Sequence, residues 1–108
     1  MFERTRPIAA PLPVVLYTRA DCHLCEEMLA EISRAGREDH YVLRKVDVDS
    51  AKALKQAYGL RIPVLEIDGR VAFEGHLTAA GFQTRLDAAR RSRRAPPGSG
   101  FGSSKGAP

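Results

Sequence analysis

The apolar residues of the chain follow first a strand-like and then a helix-like spacing. Residues 13–18 form a short, continuous apolar run, which is typical of a central strand covered on both faces. The next segment begins at Cys22, repeats apolar residues at helical intervals and stops at Gly36, so it predicts an amphipathic helix. The apolar stripe of this helix consists of Cys25, Met28, Leu29 and Ile32.

The middle of the chain predicts a second strand and then a short helix. The strand is expected over residues 41–48. Asp49 follows it in a position suited to cap a helix over residues 51–58, and Gly59 marks the end of that helix.

The last third of the domain predicts a hairpin and a final helix. Residues 63–67 and 71–73 flank Asp68-Gly69, a dipeptide that suits the positive backbone angles of a tight two-residue turn. The final helix is expected to bury Leu77, Phe82, Leu86 and Ala89.

The resulting element order, βαβαββα, indicates an α/β fold. Crossovers between parallel strands are almost always right-handed, which leaves few ways to place these strands in one sheet. We expect one domain over residues 13–94, because a chain of 108 residues has room for a single core. Residues 1–12 and the Pro-, Gly- and Ser-rich residues 95–108 are expected to be flexible ends.

The charge distribution argues against a nucleic-acid-binding domain. The net charge is +4, but residues 90–105 contain five basic residues and no acid, so the rest of the chain is slightly negative. The basic end is expected to be a solvated terminal segment. A module that binds nucleic acid or another partner through this end stays an alternative.

The sequence predicts neither a membrane span nor a secretory signal. Its longest apolar runs are strand-sized, and the N-terminal segment lacks the apolar core of a signal peptide. Two cysteines are too few for a secreted disulfide framework. We therefore expect a soluble cytoplasmic protein, in which a close cysteine pair is more often catalytic or metal-binding than structural.

The pair Cys22 and Cys25 is the main candidate for chemistry. Unpaired backbone N–H groups and the helix dipole favour the thiolate of Cys22 at a helix N-terminus, and the positive charge of Arg19 adds to this effect. Cys25 lies one turn further on the apolar stripe and should be more buried. Cys22 would then attack a disulfide, and Cys25 would attack Cys22 in turn to release the substrate thiol.

Two other interpretations of the cysteine pair stay open. The cysteines could be inert, reduced thiols. They could also hold a metal ion or an iron–sulfur cluster, as in a metal carrier. A closed zinc site needs four ligands, however, and the histidines that could add to the pair are His23, His40 and His76.

Two stretches together resemble the glutaredoxins of the thioredoxin superfamily. They are Thr-Arg-Ala-Asp-Cys-His-Leu-Cys (18–25), which opens a helix after a strand, and Gly-Leu-Arg-Ile-Pro-Val-Leu (59–65), which precedes the hairpin. The chain is similar to a small glutaredoxin-like branch with Cys-His-Leu-Cys in place of Cys-Pro-Tyr-Cys. The resemblance implies a thioredoxin/glutaredoxin-like fold, with a mixed four-stranded sheet flanked by helices.

The resemblance also implies roles for individual residues. Cys22 corresponds to the nucleophile and Cys25 to the resolving thiol. Arg19 stands where glutaredoxins usually have a lysine that helps to hold the thiolate and a carboxylate of glutathione. Pro63 corresponds to the cis-proline of the family, and Ile62 to the residue before it, whose backbone pairs with the substrate.

The chain departs from the family pattern around the expected glutathione site. Arg61 replaces the threonine of Thr-Val-Pro. The segment around Gly75 replaces a Gly-Gly with a following Asp, so that half of the carboxylate-binding surface is missing and Gly75 remains as its substrate-binding residue. Arg61 could bind a substrate carboxylate in its place, or it could be a solvated loop residue.

The resemblance therefore implies a thiol–disulfide oxidoreductase, and we expect it to be a monomer. Protein disulfides, or mixed disulfides between proteins and small thiols, would be its substrates. Glutathione, another low-molecular-weight thiol or a reductase would supply the electrons, and no tightly bound cofactor is expected.

Overall fold

Four strands and three α-helices make up the part of the chain that the computed structural model describes, residues 10–94. In chain order they are β1 (Leu12–Thr18), α1 (His23–Ala35), β2 (Tyr41–Asp47), α2 (Lys52–Tyr58), β3 (Val64–Ile67), β4 (Arg70–Glu74) and α3 (Ala79–Arg94). The predicted order βαβαββα is confirmed. No helix within the described range has the length and apolarity needed to cross a membrane. Of the expected flexible ends, residues 1–9 and 95–108 lie outside the described residues.

The strands form one mixed sheet in the order β2-β1-β3-β4. β1 runs parallel to β2, from Leu12 opposite Tyr41 to Thr18 opposite Asp47. β3 is antiparallel to both β1 and β4. The carboxyl ends of β1, β2 and β4 therefore meet the amino end of β3 at one edge of the sheet. This upper edge is marked by Thr18, Asp47, Val64 and Glu74.

One face of the sheet is covered by α1 and α3. Phe82 of α3 is fully buried there and makes an edge-to-face contact with Tyr41, with 5.3 Å between the ring centroids. The stripe predicted for α1 is buried apart from Leu29, which is partly exposed. β1 begins at Leu12, one residue before the predicted boundary, and the side chain of Leu12 belongs to this core. Other buried side chains of the core are those of Val14, Leu16, Met28, Ile32, Leu65 and Leu86.

The second face of the sheet is covered, in the described part of the chain, by the short helix α2. Tyr17 of β1 stacks on Tyr58 of α2, with 4.0 Å between the ring centroids. The hydroxyl groups of both tyrosines donate to the carboxylate of Glu66 at 3.3 Å. Val42, at the other end of this face, is 61% exposed. On β1 itself, Pro13 of this face is exposed while Val15 and Tyr17 are half-buried, so the prediction that β1 is covered on both faces is correct only towards the upper edge.

The start of α2 differs from the prediction. The helix begins at Lys52 after Ala51, and no side chain caps it with a hydrogen bond. Asp49 lies in a 3-10 turn, Val48–Ser50, before the helix. Its carboxylate is bound by Arg19 instead, because a guanidinium offers two charge-assisted hydrogen bonds at once.

The hairpin turn between β3 and β4 is formed by the predicted dipeptide. Asp68 and Gly69 have φ values of 52° and 85°, as this kind of two-residue turn requires. The turn lies at the edge of the sheet opposite the upper edge. There the carboxylate of Asp68 accepts a hydrogen bond from Arg93 of α3 at 2.7 Å, which ties α3 to the hairpin.

Alkaline pH tests the packing of Tyr17. Burial raises the pKa of Tyr17 from 10.0 to about 12, and the neighbouring Tyr58 hydroxyl and Glu66 carboxylate add to the rise. Tyr17 therefore keeps its proton in the folded state at a pH where the unfolded chain has lost it, so its stabilising contribution is present below pH 10 and is lost as the pH rises towards 12.

We expect the free energy of unfolding to fall between about pH 9 and about pH 11, and to fall less in Tyr17→Phe, by roughly 1 kcal/mol. Denaturant unfolding of the oxidised proteins at both pH values measures this difference. An equal loss of stability in wild type and variant would contradict the packing described for Tyr17.

Candidate active site

Cys22 lies at the start of α1, in the loop that follows β1 at the upper edge. Asp21 before it has a φ of 59°, a left-handed conformation that aspartate adopts more readily than most residues. Cys22 is the N-cap of α1: its Sγ accepts a hydrogen bond from the N–H of Cys25 at 3.1 Å, and its carbonyl accepts one from the N–H of Glu26 at 3.2 Å. The predicted position of this sulfur at a helix N-terminus is confirmed.

A disulfide joins Cys22 to Cys25. Their Cα atoms are 5.2 Å apart, a separation that suits a disulfide between residues one helical turn apart. Cys25 is only 2% exposed, whereas Cys22 is partly exposed. The predicted difference in burial is confirmed, and Cys22 is the more accessible of the two residues.

Pro63 lies at the same edge of the sheet as the cysteine pair, because the amino end of β3 is beside the carboxyl end of β1. The Ile62–Pro63 peptide bond is cis, as predicted. The carbonyl of Pro63 accepts a hydrogen bond from the N–H of Gly75 at 2.8 Å, so the backbone of both residues is already paired here.

The backbone of Ile62 is only partly available to another molecule. Its N–H donates to the carbonyl of Tyr58 at 3.1 Å. Its carbonyl has no hydrogen-bond partner within residues 10–94. A partner that approached Ile62 could therefore use this carbonyl as an acceptor, but not the N–H as a donor.

The guanidinium of Arg19 is engaged by groups of the chain itself. Its Nε and Nη2 donate to the two carboxylate oxygens of Asp49 at 3.0 and 2.9 Å, and its Nη1 donates to the Gly59 carbonyl at 3.2 Å. The hydrogen bonds between the two side chains lower the pKa of Asp49 and raise the pKa of Arg19. Arg19 lines a groove beside the cysteines, but its charge is paired with Asp49.

Arg61 is engaged in the same way. Its Nε and Nη2 donate to the carboxylate oxygens of Glu74 at 3.3 and 2.7 Å, and its Nη1 donates to the Ala57 carbonyl at 3.4 Å. The guanidinium carbon also lies 5.5 Å from the centroid of the Tyr58 ring. Hydrogen bonding with Arg61 lowers the pKa of Glu74. Arg61 is thus an ion-paired residue rather than a free, solvated one.

A groove of about 380 Å³ adjoins the disulfide and includes both cysteines in its lining. Besides Arg19, its charged side chains are those of Asp21, Glu26, Asp47 and Lys45. Acidic side chains therefore outnumber basic ones along this groove.

The described residues give no metal site around the cysteines. Within residues 10–94 there is no group of three or more His, Cys, Asp or Glu side chains placed to hold a metal ion. His23, which follows Cys22, has its Nε2 at 2.9 Å from a carboxylate oxygen of Glu27. A metal ion bound by the cysteines would need ligands from outside the described residues.

Sequence patterns alone identify neither Asp49 nor Glu74 as part of this site. The signal for Asp49 is the parallel register of β1 and β2. This register brings Asp49, which follows β2, beside Arg19, which follows β1. The signal for Glu74 is the hairpin. Glu74 pairs with Val64, and Val64 comes shortly after Arg61 in the sequence. Both signals depend on the pairing of strands, which is not visible in a local pattern.

Comparisons with known proteins give the relatives of the chain. The family model of the Glutaredoxin-like domain (DUF836) matches residues 13–90. An X-ray structure of protein XcR50 from X. campestris is 34% identical, with a TM-score of 0.61, and the match covers 77% of this chain and 99% of that chain. The solution structure of protein Ne2328 from Nitrosomonas europaea is 26% identical, with a TM-score of 0.62, over 80% of this chain and 99% of that chain.

A more distant likeness concerns the fold alone. A mutant thioredoxin from Halobacterium salinarum NRC-1 is 23% identical, with a TM-score of 0.53, over 71% of this chain and 73% of that chain. No curated protein matches the chain significantly. Since the family model spans most of the chain, including both cysteines and the cis-proline, the chain belongs to the glutaredoxin-like (DUF836) domain family and has a thioredoxin/glutaredoxin-like α/β fold.

Proposed function

We propose that the protein is a thiol–disulfide oxidoreductase whose dithiol form, at Cys22 and Cys25, reduces protein disulfides or mixed disulfides between proteins and small thiols. The observation that carries this proposal is the N-cap position of Cys22, a reachable sulfur at a helix N-terminus that is bonded to a buried second sulfur. Membership of a glutaredoxin-like family supports a thiol-redox role in general.

The proposed cycle consists of two exchange steps and uses no bound cofactor. In the reduced protein the Cys22 thiolate attacks one sulfur of the substrate disulfide; that S–S bond breaks, a mixed disulfide forms on Cys22, and the first substrate thiolate leaves and takes up a proton. The Cys25 thiolate then attacks Sγ of Cys22, which closes the internal disulfide and releases the second thiol. Two electrons pass to the substrate, and a small thiol or a reductase restores the dithiol.

The N-terminus of α1 supports the first step and the later reduction of the internal disulfide. Unpaired N–H groups and the helix dipole stabilise negative charge at this position. The N–H of Cys25 already donates to Sγ of Cys22, and the same contact would stabilise a Cys22 thiolate. Stabilising this thiolate increases the share of Cys22 that can attack, and it also makes Cys22 a better leaving group when the protein is reduced again.

The substrate backbone would approach the cysteines next to Ile62. Its carbonyl can accept a hydrogen bond from an N–H of the substrate, whereas its own N–H is bound to Tyr58. The N–H of Gly75 is bound to Pro63. We therefore propose that the substrate makes one backbone hydrogen bond here instead of the reciprocal pair of an added strand.

The two-cysteine cycle predicts different behaviour for the two single variants. The protein is equilibrated in dithiothreitol buffers of graded redox poise, and its free thiols are then alkylated. The two cysteines should convert reversibly between dithiol and disulfide, with a loss of two hydrogens and a single midpoint potential. After reaction with hydroxyethyl disulfide, Cys25→Ser should accumulate a mixed disulfide on Cys22, because the resolving thiol is missing. Cys22→Ser should accumulate little. Intact-mass analysis measures both results.

The outcomes of this experiment separate the alternatives. The sequence contains no other cysteine, so each variant isolates one thiol. A pair that stays reduced at every poise, or an adduct that forms on Cys25 in preference to Cys22, would refute the proposed cycle. A stoichiometric metal that is lost in Cys22→Ser would indicate a metal carrier instead.

Unequal burial of the cysteines predicts unequal reactivity in the reduced protein. Iodoacetamide should modify Cys22 at least about tenfold faster than Cys25, because Cys25 is almost fully buried. Peptide mapping of partly modified protein gives the two rates. In denaturant the rates should converge, and equal rates in the folded protein would contradict the assignment of Cys22 as the nucleophile.

A further inference from the structure

Two arginine–carboxylate pairs lie at the upper edge, where the cysteine pair also lies. In the strand order β2-β1-β3-β4, Arg19 and Asp49 follow β1 and β2, while Arg61 precedes β3 and Glu74 ends β4. Cys22, the N-cap of α1, also follows β1 and so lies at the same edge of the sheet. Both pairs therefore lie at the edge of the sheet where a substrate disulfide would be attacked.

Both pairs use the guanidinium in the same way. The edge formed by Nε and Nη2 binds both oxygens of a carboxylate, and Nη1 donates to a backbone carbonyl. This is an edge at which a guanidinium recognises a carboxylate through two parallel hydrogen bonds. A second carboxylate could use only the remaining N–H groups, and it would lie beside a negative charge already in place. Neither arginine is therefore well placed to bind an anionic ligand.

We propose, on the basis of the oxidoreductase function proposed above, that Asp49 and Glu74 determine the substrate class by excluding small thiols and disulfides that carry carboxylates. Glutathione, which has two carboxylates, belongs to the excluded class. The favoured substrates are disulfides with neutral or basic surroundings, such as a protein disulfide next to lysine or arginine. Asp49 and Glu74 act through Arg19 and Arg61, so they are positioning residues and not catalytic ones.

The charge of the groove beside the cysteines supports the same selectivity. Asp21, Glu26 and Asp47 line it, and among the residues of its lining Lys45 is the basic side chain left once Arg19 is paired. Exposed charges act on one another over roughly 10 Å at moderate ionic strength. An anionic disulfide is thus repelled at the groove, and the repulsion should weaken as salt is added.

A charge series of small disulfides tests the proposal on the wild-type protein. The probes are cystamine, which is cationic, hydroxyethyl disulfide, which is neutral, and dithiodipropionate, which is anionic. Each rate of oxidation of the reduced protein is divided by the rate of the same probe with mercaptoethanol, which corrects for intrinsic reactivity. We expect the anionic probe to react about fivefold more slowly than the neutral probe, and the cationic probe at least as fast as the neutral one.

Variants that release the bound arginines test the role of the two carboxylates; Asp49→Asn also frees the ammonium of Lys55, which lies 3.7 Å from that carboxylate. Asp49→Asn and Glu74→Gln should each raise the ratio of the anionic to the neutral rate about fivefold, and high salt should reduce the gain. Asp68→Asn is the matched control, because it releases Arg93 from an ion pair of 2.7 Å at the opposite edge of the sheet and changes the net charge equally. It should leave the ratio unchanged.

The results distinguish failure of this proposal from failure of the oxidoreductase function. Exchange with the neutral probe without a penalty for the anionic probe would overturn the proposed selectivity alone. No exchange with any probe would refute the function and the selectivity with it. An equal rise of the ratio in Asp49→Asn and Asp68→Asn would indicate a general effect of net charge and would also overturn the proposal. If one site variant fails to fold, the wild-type series and the other variant still show whether the proposed selectivity holds.

Discussion

β1 is hydrogen-bonded to a parallel strand on one side and to an antiparallel strand on the other, and the geometry of the candidate site depends on this double pairing. The parallel pairing brings the residues after β1 and β2 to one edge, and the antiparallel pairing brings the residues before β3 to the same edge. Cys22, Asp49 and Pro63 thus come together although they are distant in sequence. A slip of one residue would turn the buried side chains of β1 to the opposite face, so the core fixes the register that builds the site.

The packing of α1 explains the difference between the two cysteines. The helix binds to the sheet through a stripe that includes Met28 and Ile32, and Cys25 is the first buried member of that stripe. Cys22 lies one residue before the helix, where the chain has not yet reached the core. The same apolar contacts that hold α1 in place therefore bury one sulfur and leave the other accessible. No separate structural feature is needed to give the two thiols different surroundings.

The elements that the sequence predicted correctly are those that local residues encode. The stop at Gly36 and the turn at Asp68-Gly69 both depend on backbone angles that few residues adopt, and both are present in the structure. The pairing of Arg19 could not be predicted in this way, because its partner Asp49 is 30 residues away. Asp49 has a local pattern typical of a helix cap, but a nearby guanidinium offers its carboxylate stronger hydrogen bonds than unpaired N–H groups do. Local propensity thus failed where a tertiary charge competed with it.

The two arginine pairs also determine how the end of α2 is held. Arg19 donates to the carbonyl of Gly59 and Arg61 to that of Ala57, so each guanidinium binds a carbonyl at the carboxyl end of this short helix. Cations stabilise this end of a helix because its last carbonyls are unpaired and the dipole is negative there.

α2 has only seven residues and no side-chain cap at its start, so these contacts matter for its position. A guanidinium whose Nε edge is held by a carboxylate is fixed in orientation, and its Nη1 then points steadily at the helix carbonyl. The carboxylates of Asp49 and Glu74 therefore have two effects that cannot be separated: they orient the arginines that anchor α2, and they occupy the hydrogen-bonding edge that an anionic ligand would need. The proposed selection against carboxylates at the cysteine pair would follow from the way in which the shortest α-helix of the described residues is held.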